Sequence, residues 1–291
     1  MLATDEFGKE KYESRIYEST WMSGQRLLHF SRTWMPQGNP KGVICLIHGL
    51  GEHIGRYHHV ADFFNRNSFA LAGFDLPGHG LSEGRRGHIK SYIALQNTID
   101  QYLQRLHKQY PDTPIILWGH SMGGNLALNY VLQNPKGVSA ALITSPWLRT
   151  MGPPQGILKT IVRIFAKVAP WITIDNGLSS KDLSHDENIS YNQDPLVHSR
   201  ISLRLLAAMI KRGQWALRNA HKLSIPLLLM HGNADKITDP RASQEFSEKA
   251  KCELELWPDL YHEMHNEPQK YKVLEFMVAW LQQHISQNSS Q

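Results

Sequence analysis

The sequence predicts an α/β fold: a mostly parallel central sheet with helices on both faces and a helical insertion late in the chain. Three observations carry this expectation. Short apolar runs alternate with helix-length segments along the 291 residues, the pattern of parallel strands joined by right-handed crossovers. The run Gly119-His120-Ser121-Met122-Gly123-Gly124 lies directly between an apolar stretch, Ile115 to Trp118, and the helix-like Asn125 to Leu132. The rhythm breaks once, between about Ser145 and Ser224. There Pro146, Gly152, Pro153 and Pro154 open a stretch that lacks strong strand signals and is helical by periodicity.

Residues 11–18 and 25–33 read as an opening antiparallel pair around a turn at Ser23-Gly24. Strands follow at 43–47, 69–74, 115–118 and 140–144, separated by helices near 55–67, 91–109 and 125–133. Two later strands, 226–231 and 253–257, alternate with helices near 240–250 and 269–285. Strands buried on both faces read as continuous apolar runs, as Val43-Ile44-Cys45-Leu46-Ile47 does. The expected organisation is a core in two parts, 1–144 and 225–291, with a helical lid inserted at 145–224. An insertion of that length next to strand ends is where lids occur.

Composition narrows the function classes. With 41% hydrophobic and 20% charged residues, a large core is available. The net charge of +5 favours anionic surfaces, but the cations are scattered and no nucleic-acid motif is present, so nucleic acid is not an expected partner. Two cysteines, one of them inside a strand, indicate no disulfide framework and fit a reducing compartment. The sixteen histidines fall into no metal-ligand spacing. The polar start of the chain and the lack of any run of about 18 apolar residues make a cytoplasmic protein the expectation.

A serine between glycines at a strand-to-helix turn is held clear of the backbone at a helix start, where amide groups face incoming negative charge. The chain contains G-x-S-x-G twice. The copy around Ser82 follows a turn-rich loop and starts no helix, so only Ser121 meets the strand–turn–helix requirement. A serine nucleophile needs a base, and the base needs an acid that fixes its tautomer. The acid belongs after a late strand, where Leu227 to Met230 runs into His231-Gly232-Asn233-Ala234-Asp235. Asp235 is favoured over Asp239, because Asp239-Pro240 reads as the cap and first turn of the next helix. Beyond the last strand, His262 is the first histidine past the turn, although spacing alone leaves His265 open. The oxyanion needs two amide donors. The backbone of Met122 and the glycine-flanked Leu50, in His48-Gly49-Leu50-Gly51-Glu52-His53, are the expected pair.

Within the insertion, Lys159, Arg163 and Lys167 share one arc of a helical wheel. Ile157, Leu158, Ile161, Val162, Ile164, Phe165 and Val168 occupy the other side, and Trp171 follows Pro170. A basic face opposite an apolar one suits a helix on an anionic bilayer, so transient membrane contact around 157–171, with a peripheral location, is one reading. Ordinary packing on the body of the protein is the other.

With these motifs in order, the chain resembles the α/β-hydrolase superfamily and, within it, the monoglyceride lipase and lysophospholipase family, from about residue 15 to 285. The matching segments are His48-Gly49-x-Gly51-Glu52-His53, Gly55-Arg56-Tyr57, Asp75 to Gly84, Gly119 to Gly124, His231 to Asp235 and Tyr261-His262. The resemblance implies an α/β-hydrolase fold, a Ser121–Asp235–His262 triad, Leu50 and Met122 amides as oxyanion hole, and His262 rather than His265 as base. It further implies a polar pocket for the glycerol end of a substrate at Glu52, Arg56 and His265; a Glu52–Arg56 ion pair with a surface histidine is the structural alternative. The expected activity is hydrolysis of the ester of a single-chain lipid, monoacylglycerol first, through an acyl-enzyme on Ser121 and without a cofactor or metal. A lysophospholipase or broader carboxylesterase is the enzymatic alternative. A ligand-binding protein on the same scaffold is the non-enzymatic one.

Overall fold

Alternation along each strand sorts its side chains onto the two faces of one sheet, and both faces are covered. A computed structural model of the chain describes residues 14–152, 168–186 and 193–285. The strands of the main sheet are β1 (Arg15–Met22), β2 (Leu28–Met35), β3 (Gly42–Ile47), β4 (Phe69–Phe74), β5 (Ile115–His120), β6 (Ala140–Thr144), β9 (Leu227–Gly232) and β10 (Glu253–Trp257). Their order is β1-β2-β4-β3-β5-β6-β9-β10. β2 pairs antiparallel with both β1 and β4, and the remaining pairings are parallel.

In β3, Val43, Cys45 and Ile47 pack into the core on one face, while Ile44 and Leu46 join the other. The first face is covered by α2 (Tyr92–Gln109) and α3 (Met122–Val131), with Leu103 and Leu126 in the same cluster. The second is covered by α1 (His58–Arg66) and the last helix, Lys270–Ile285, through Phe64 and Met277. Helix starts follow their caps. The Ser91 side chain accepts from Ala94 N–H at 3.1 Å, one residue before α2. Asp239 accepts from Arg241 N–H at 3.0 Å before the helix Pro240–Ala250, whose first position is proline.

Two expectations need correction. The opening hairpin is displaced: its strands are 15–22 and 28–35 rather than 11–18 and 25–33, and Met22 pairs directly with Leu28. The turn takes five residues, with Ser23 N–H bonded to Leu27 O at 3.0 Å and Arg26 N–H to Ser23 O at 2.8 Å. Pairing from that turn sets the strand, and most of β1 is exposed, so apolar content was a poor guide. The second correction concerns the insertion. Besides α4 (Ser180–Leu183) and α5 (Leu203–Asn219), it holds a small antiparallel sheet of β7 (Thr173–Asp175) and β8 (Arg200–Ser202). Three-residue strands this far apart carry no period that a sequence reading can find. The amphipathic face at Lys159, Arg163 and Lys167 lies outside the described residues; Trp171 at its end is 53% exposed. No helix among the described residues is long and apolar enough to cross a membrane.

The register brings the functional loops together. Ile47 at the end of β3 is level with Gly119, His120 with Thr144, and Thr144 with Met230. The loops after β3, β5, β6 and β9 therefore open at one carboxyl edge of the sheet.

Candidate active site

Ser121 stands alone between β5 and α3, at φ 53° and ψ −115°. A non-glycine residue at positive φ costs on the order of 1–3 kcal/mol and persists only where its surroundings over-determine it. Three backbone bonds do so here. Ser121 N–H donates to Thr144 O at 3.0 Å, and Ser121 O accepts from Asn125 N–H at 3.1 Å and Trp147 N–H at 2.9 Å. Space does the rest: a Cβ on Gly119 would run into Gly123 O, and one on Gly123 into Ile47 O. Gly123→Ala should accordingly lose about 1–3 kcal/mol of stability or more, read as a lower denaturation midpoint. An unchanged midpoint would show that the elbow has slack.

The side chains of Ser121, His262 and Asp235 form one hydrogen-bonded line. His262 Nε2 lies 2.8 Å from Ser121 Oγ, and His262 Nδ1 lies 2.7 Å from Asp235 Oδ2. An ionised Asp235 accepts only, so the imidazole proton sits on Nδ1 and Nε2 is left to accept from the serine hydroxyl. All three residues are buried. Burial disfavours the imidazolium, but the Asp235 charge and hydrogen bond outweigh it, with Glu263 and Glu52 adding to them, and His262 is raised above its ordinary value. Burial likewise opposes the Asp235 anion, yet His262 and His231 together hold its carboxyl well below the usual range.

Asp235 is fixed from several sides. Its Oδ1 accepts from Ile237 N–H at 2.7 Å and Thr238 N–H at 3.1 Å. Its Oδ2 also accepts from Thr238 Oγ1 at 2.8 Å and meets His231 Nε2 at 3.0 Å. The competitor Asp239 caps its helix and pairs with Arg149 at 2.7 Å. Ser82 has a structural role: its hydroxyl donates to Asp75 O at 2.6 Å and accepts from Phe30 N–H at 3.0 Å.

Met122 is the first residue of α3, so its N–H is one of the helix's four without an intrahelical partner. Leu50 lies on the loop after β3. That loop passes so close to the nucleophile that a Cβ on Gly49 would be 3.3 Å from Ser121 Cβ. Two side chains set its course. Glu52 Oε1 accepts from Gly49 N–H at 2.5 Å and from Tyr57 OH at 3.0 Å. His48 lies between Gly49 O at 2.8 Å and Leu76 N–H at 2.9 Å, and burial pushes it down to about 3, which keeps it neutral.

The sequence-predicted trio Glu52, Arg56 and His265 also converges. Arg56 Nη1 donates to Glu52 Oε2 at 3.0 Å, the i,i+4 ion pair that was the structural alternative to a substrate pocket. Its guanidinium also forks onto Glu263, at 2.9 and 3.0 Å. Burial raises both carboxyls; Arg56 outweighs it at Glu263, held below the usual carboxylate range, whereas Glu52 stays raised. His265 is not at the surface. It is buried, stacks on Tyr57 at 4.8 Å, packs against His120 at 4.8 Å, and burial pushes it down to about 3. Among the described residues neither of its ring nitrogens has a hydrogen-bond partner.

His231, Thr238 and Glu263 escaped the sequence reading as site residues. Adjacency to the acid and base was the one signal available for them. Ser121 also lines a cavity of about 410 Å³, whose walls include the apolar Leu50, Trp147, Ile174, Ile201, Leu206 and Ile237 and the charged Asp175, Asp182 and Lys236.

Comparison with known proteins shows the family. The family model described as serine aminopeptidase, S33, matches residues 38–269. An uncharacterized abhydrolase domain-containing protein of Dictyostelium discoideum is 35% identical over 87% of this chain, which spans only 28% of that longer protein. A monoacylglycerol lipase of Mycolicibacterium smegmatis is 31% identical over 87% of this chain and 92% of its own length. Among solved structures, the monoacylglycerol lipase of Paleococcus ferrophilus is similar with a TM-score of 0.79 and 29% identity, covering 93% of this chain and 99% of that one.

Proposed function

Since the chain belongs to the α/β-hydrolase family described as serine aminopeptidase, S33, we propose that it is a serine hydrolase of single-chain lipid esters that converts monoacylglycerol to glycerol and a fatty acid. The observation that carries this reading is the line Ser121 Oγ–His262–Asp235 at the edge of a mostly apolar cavity. His262 Nε2 takes the Ser121 proton as Oγ attacks the ester carbonyl carbon. The amides of Leu50 and Met122 hold the resulting oxyanion. Collapse of the intermediate breaks the bond to the glycerol oxygen, which receives the proton from His262. Water, activated by the same imidazole, then releases the fatty acid and restores Ser121. Asp235 stabilises the imidazolium at each stage and stays ionised.

The cavity walls favour an acyl chain. Arg56, Glu52 and His265 supply donors and acceptors for the two free hydroxyls of the glycerol end, and the unpartnered nitrogens of His265 are what a hydroxyl would satisfy. The segment 145–224 acts as a cap over this site, with membrane contact through the residues around 157–171. A turnover panel of monoacylglycerols and lysophospholipids of matched chain length tests the substrate. Higher kcat/KM for the monoacylglycerols is expected, and preference for the phospholipid series would replace this reading with a lysophospholipase.

A further inference from the structure

Away from the Ser121 site, a second cavity of about 340 Å³ opens where the segment between β6 and β9 meets the body of the protein. Its walls include Arg85, His88 and Lys90 from the loop ahead of α2, and Arg204 from the first turn of α5. The two sides are in direct contact. Ser202 N–H donates to Gly87 O at 2.8 Å, and Arg204 Nη1 donates to Lys90 O at 2.6 Å. The loop is pressed so close that a Cβ on Gly87, at φ 65°, would run into Arg200 O.

Three permanent cations therefore face one concavity, and its described lining contains no aspartate or glutamate. None of Arg85, Lys90 and Arg204 is paired with a described carboxylate. Glu83, the nearest acid in the chain, has a carboxylate oxygen occupied by Leu28 N–H at 2.8 Å. Two polar atoms of the same loop, Arg86 Nη1 and His88 Nδ1, are buried without a described partner. The positive potential is felt locally: burial lowers His88, and the charges of Arg204 and Arg85 lower it further.

Like charges brought together by folding, with no carboxylate between them, destabilise the contact they sit on. A multivalent oxyanion reverses that sign. It accepts several charge-assisted hydrogen bonds at once, and guanidinium forks match its geometry. We propose that this seam is an anion-binding site for a phosphate group, either free or on a lipid headgroup, which clips Arg204 of the inserted segment to Arg85 and Lys90 of the core. The cavity's volume of about 340 Å³ exceeds that of a phosphate group. The site is separate from Ser121 and does not depend on the reading of the hydrolytic activity.

The test compares the full-length protein with Arg85→Gln and with the double variant Lys90→Gln/Arg204→Gln. Arg85→Gln removes a charge whose side chain makes no described hydrogen bond, so it guards against misfolding of the double variant. Inorganic phosphate is titrated calorimetrically against chloride at equal ionic strength. Saturable phosphate binding is expected, weakened about tenfold or more in both variants, with p-nitrophenyl butyrate turnover unchanged. Sedimentation with phosphatidylcholine vesicles, with and without phosphatidic acid, identifies the source. Variant-sensitive binding to the acidic vesicles, displaced by soluble phosphate, assigns a headgroup; phosphate binding without vesicle binding assigns a free anion. Phosphate binding no stronger than chloride, or equal in wild type and variants, overturns the site whether or not the protein hydrolyses esters.

Discussion

Ser121→Ala is expected to lower kcat for p-nitrophenyl esters by about 10⁶-fold and to abolish labelling by a fluorophosphonate probe. The size of the effect follows from the geometry. Ser121 Oγ is the hydroxyl that His262 Nε2 meets at 2.8 Å, whereas the Thr238 hydroxyl lies at the other end of the ring, 3.3 Å from Nδ1. Losing Ser121 Oγ leaves the proposed oxyanion amides of Leu50 and Met122 without an attacking oxygen to assist. Folding should be untouched, because the elbow is held by backbone bonds to Thr144, Asn125 and Trp147, none of which uses the hydroxyl. The denaturation midpoint of the variant is therefore the control, with a shift within about 0.5 kcal/mol expected. Turnover retained in a pure sample would move the nucleophile elsewhere. A wild-type protein that neither labels nor turns over would revive the ligand-binding alternative.

The elbow was legible because its physics is local. Gly119 and Gly123 are required by backbone atoms within a few residues or on the adjacent strand, and the strand-to-helix context separates Ser121 from Ser82. The acid was legible for a similar reason: Asp239 could be assigned to the helix at Pro240–Ala250 from its cap pattern alone. Choosing His262 over His265 was different in kind. Both follow the same turn, and what separates them is that one ring meets Asp235 and Ser121 while the other stacks on Tyr57. That is a tertiary fact, and spacing does not contain it.

What stayed illegible arises from pairings across long stretches of chain. Glu263 is bound to Arg56 from 207 residues away, so the sequence displayed only the short-range Glu52–Arg56 half of the network. β7 and β8 define each other and have no apolar period. The cationic seam escaped for the same reason: Arg85 and Lys90 read as part of a scattered charge distribution until Arg204 is folded against them. In the sheet, by contrast, the parallel strands β3, β4, β5, β6 and β9 are apolar and buried along their whole length, and the alternating rhythm alone recovered their places.

Asp235→Asn should reduce kcat by about 10⁴-fold and also move the pH dependence, which a purely steric defect would not do. In the wild type Asp235 accepts from His262 Nδ1–H at 2.7 Å, leaving Nε2 free to take the serine proton. An asparagine amide group can instead donate to Nδ1, which places the ring proton on Nε2, where it blocks that transfer. The base acts only when neutral, and Asp235 together with Glu263 and Glu52 raises His262 above 6.5 against the effect of burial. In the wild type, kcat/KM should therefore fall as pH drops through a value above 6.5. With the Asp235 charge removed, the largest raising influence is gone while burial still favours the neutral ring, so the acid limb of the residual activity should move to lower pH. Profiles of kcat/KM over roughly pH 5 to 9 check the sign. A limb at the same position in both proteins would mean that Asp235 does not set the charge state of His262, and that the carboxylates around Arg56 do.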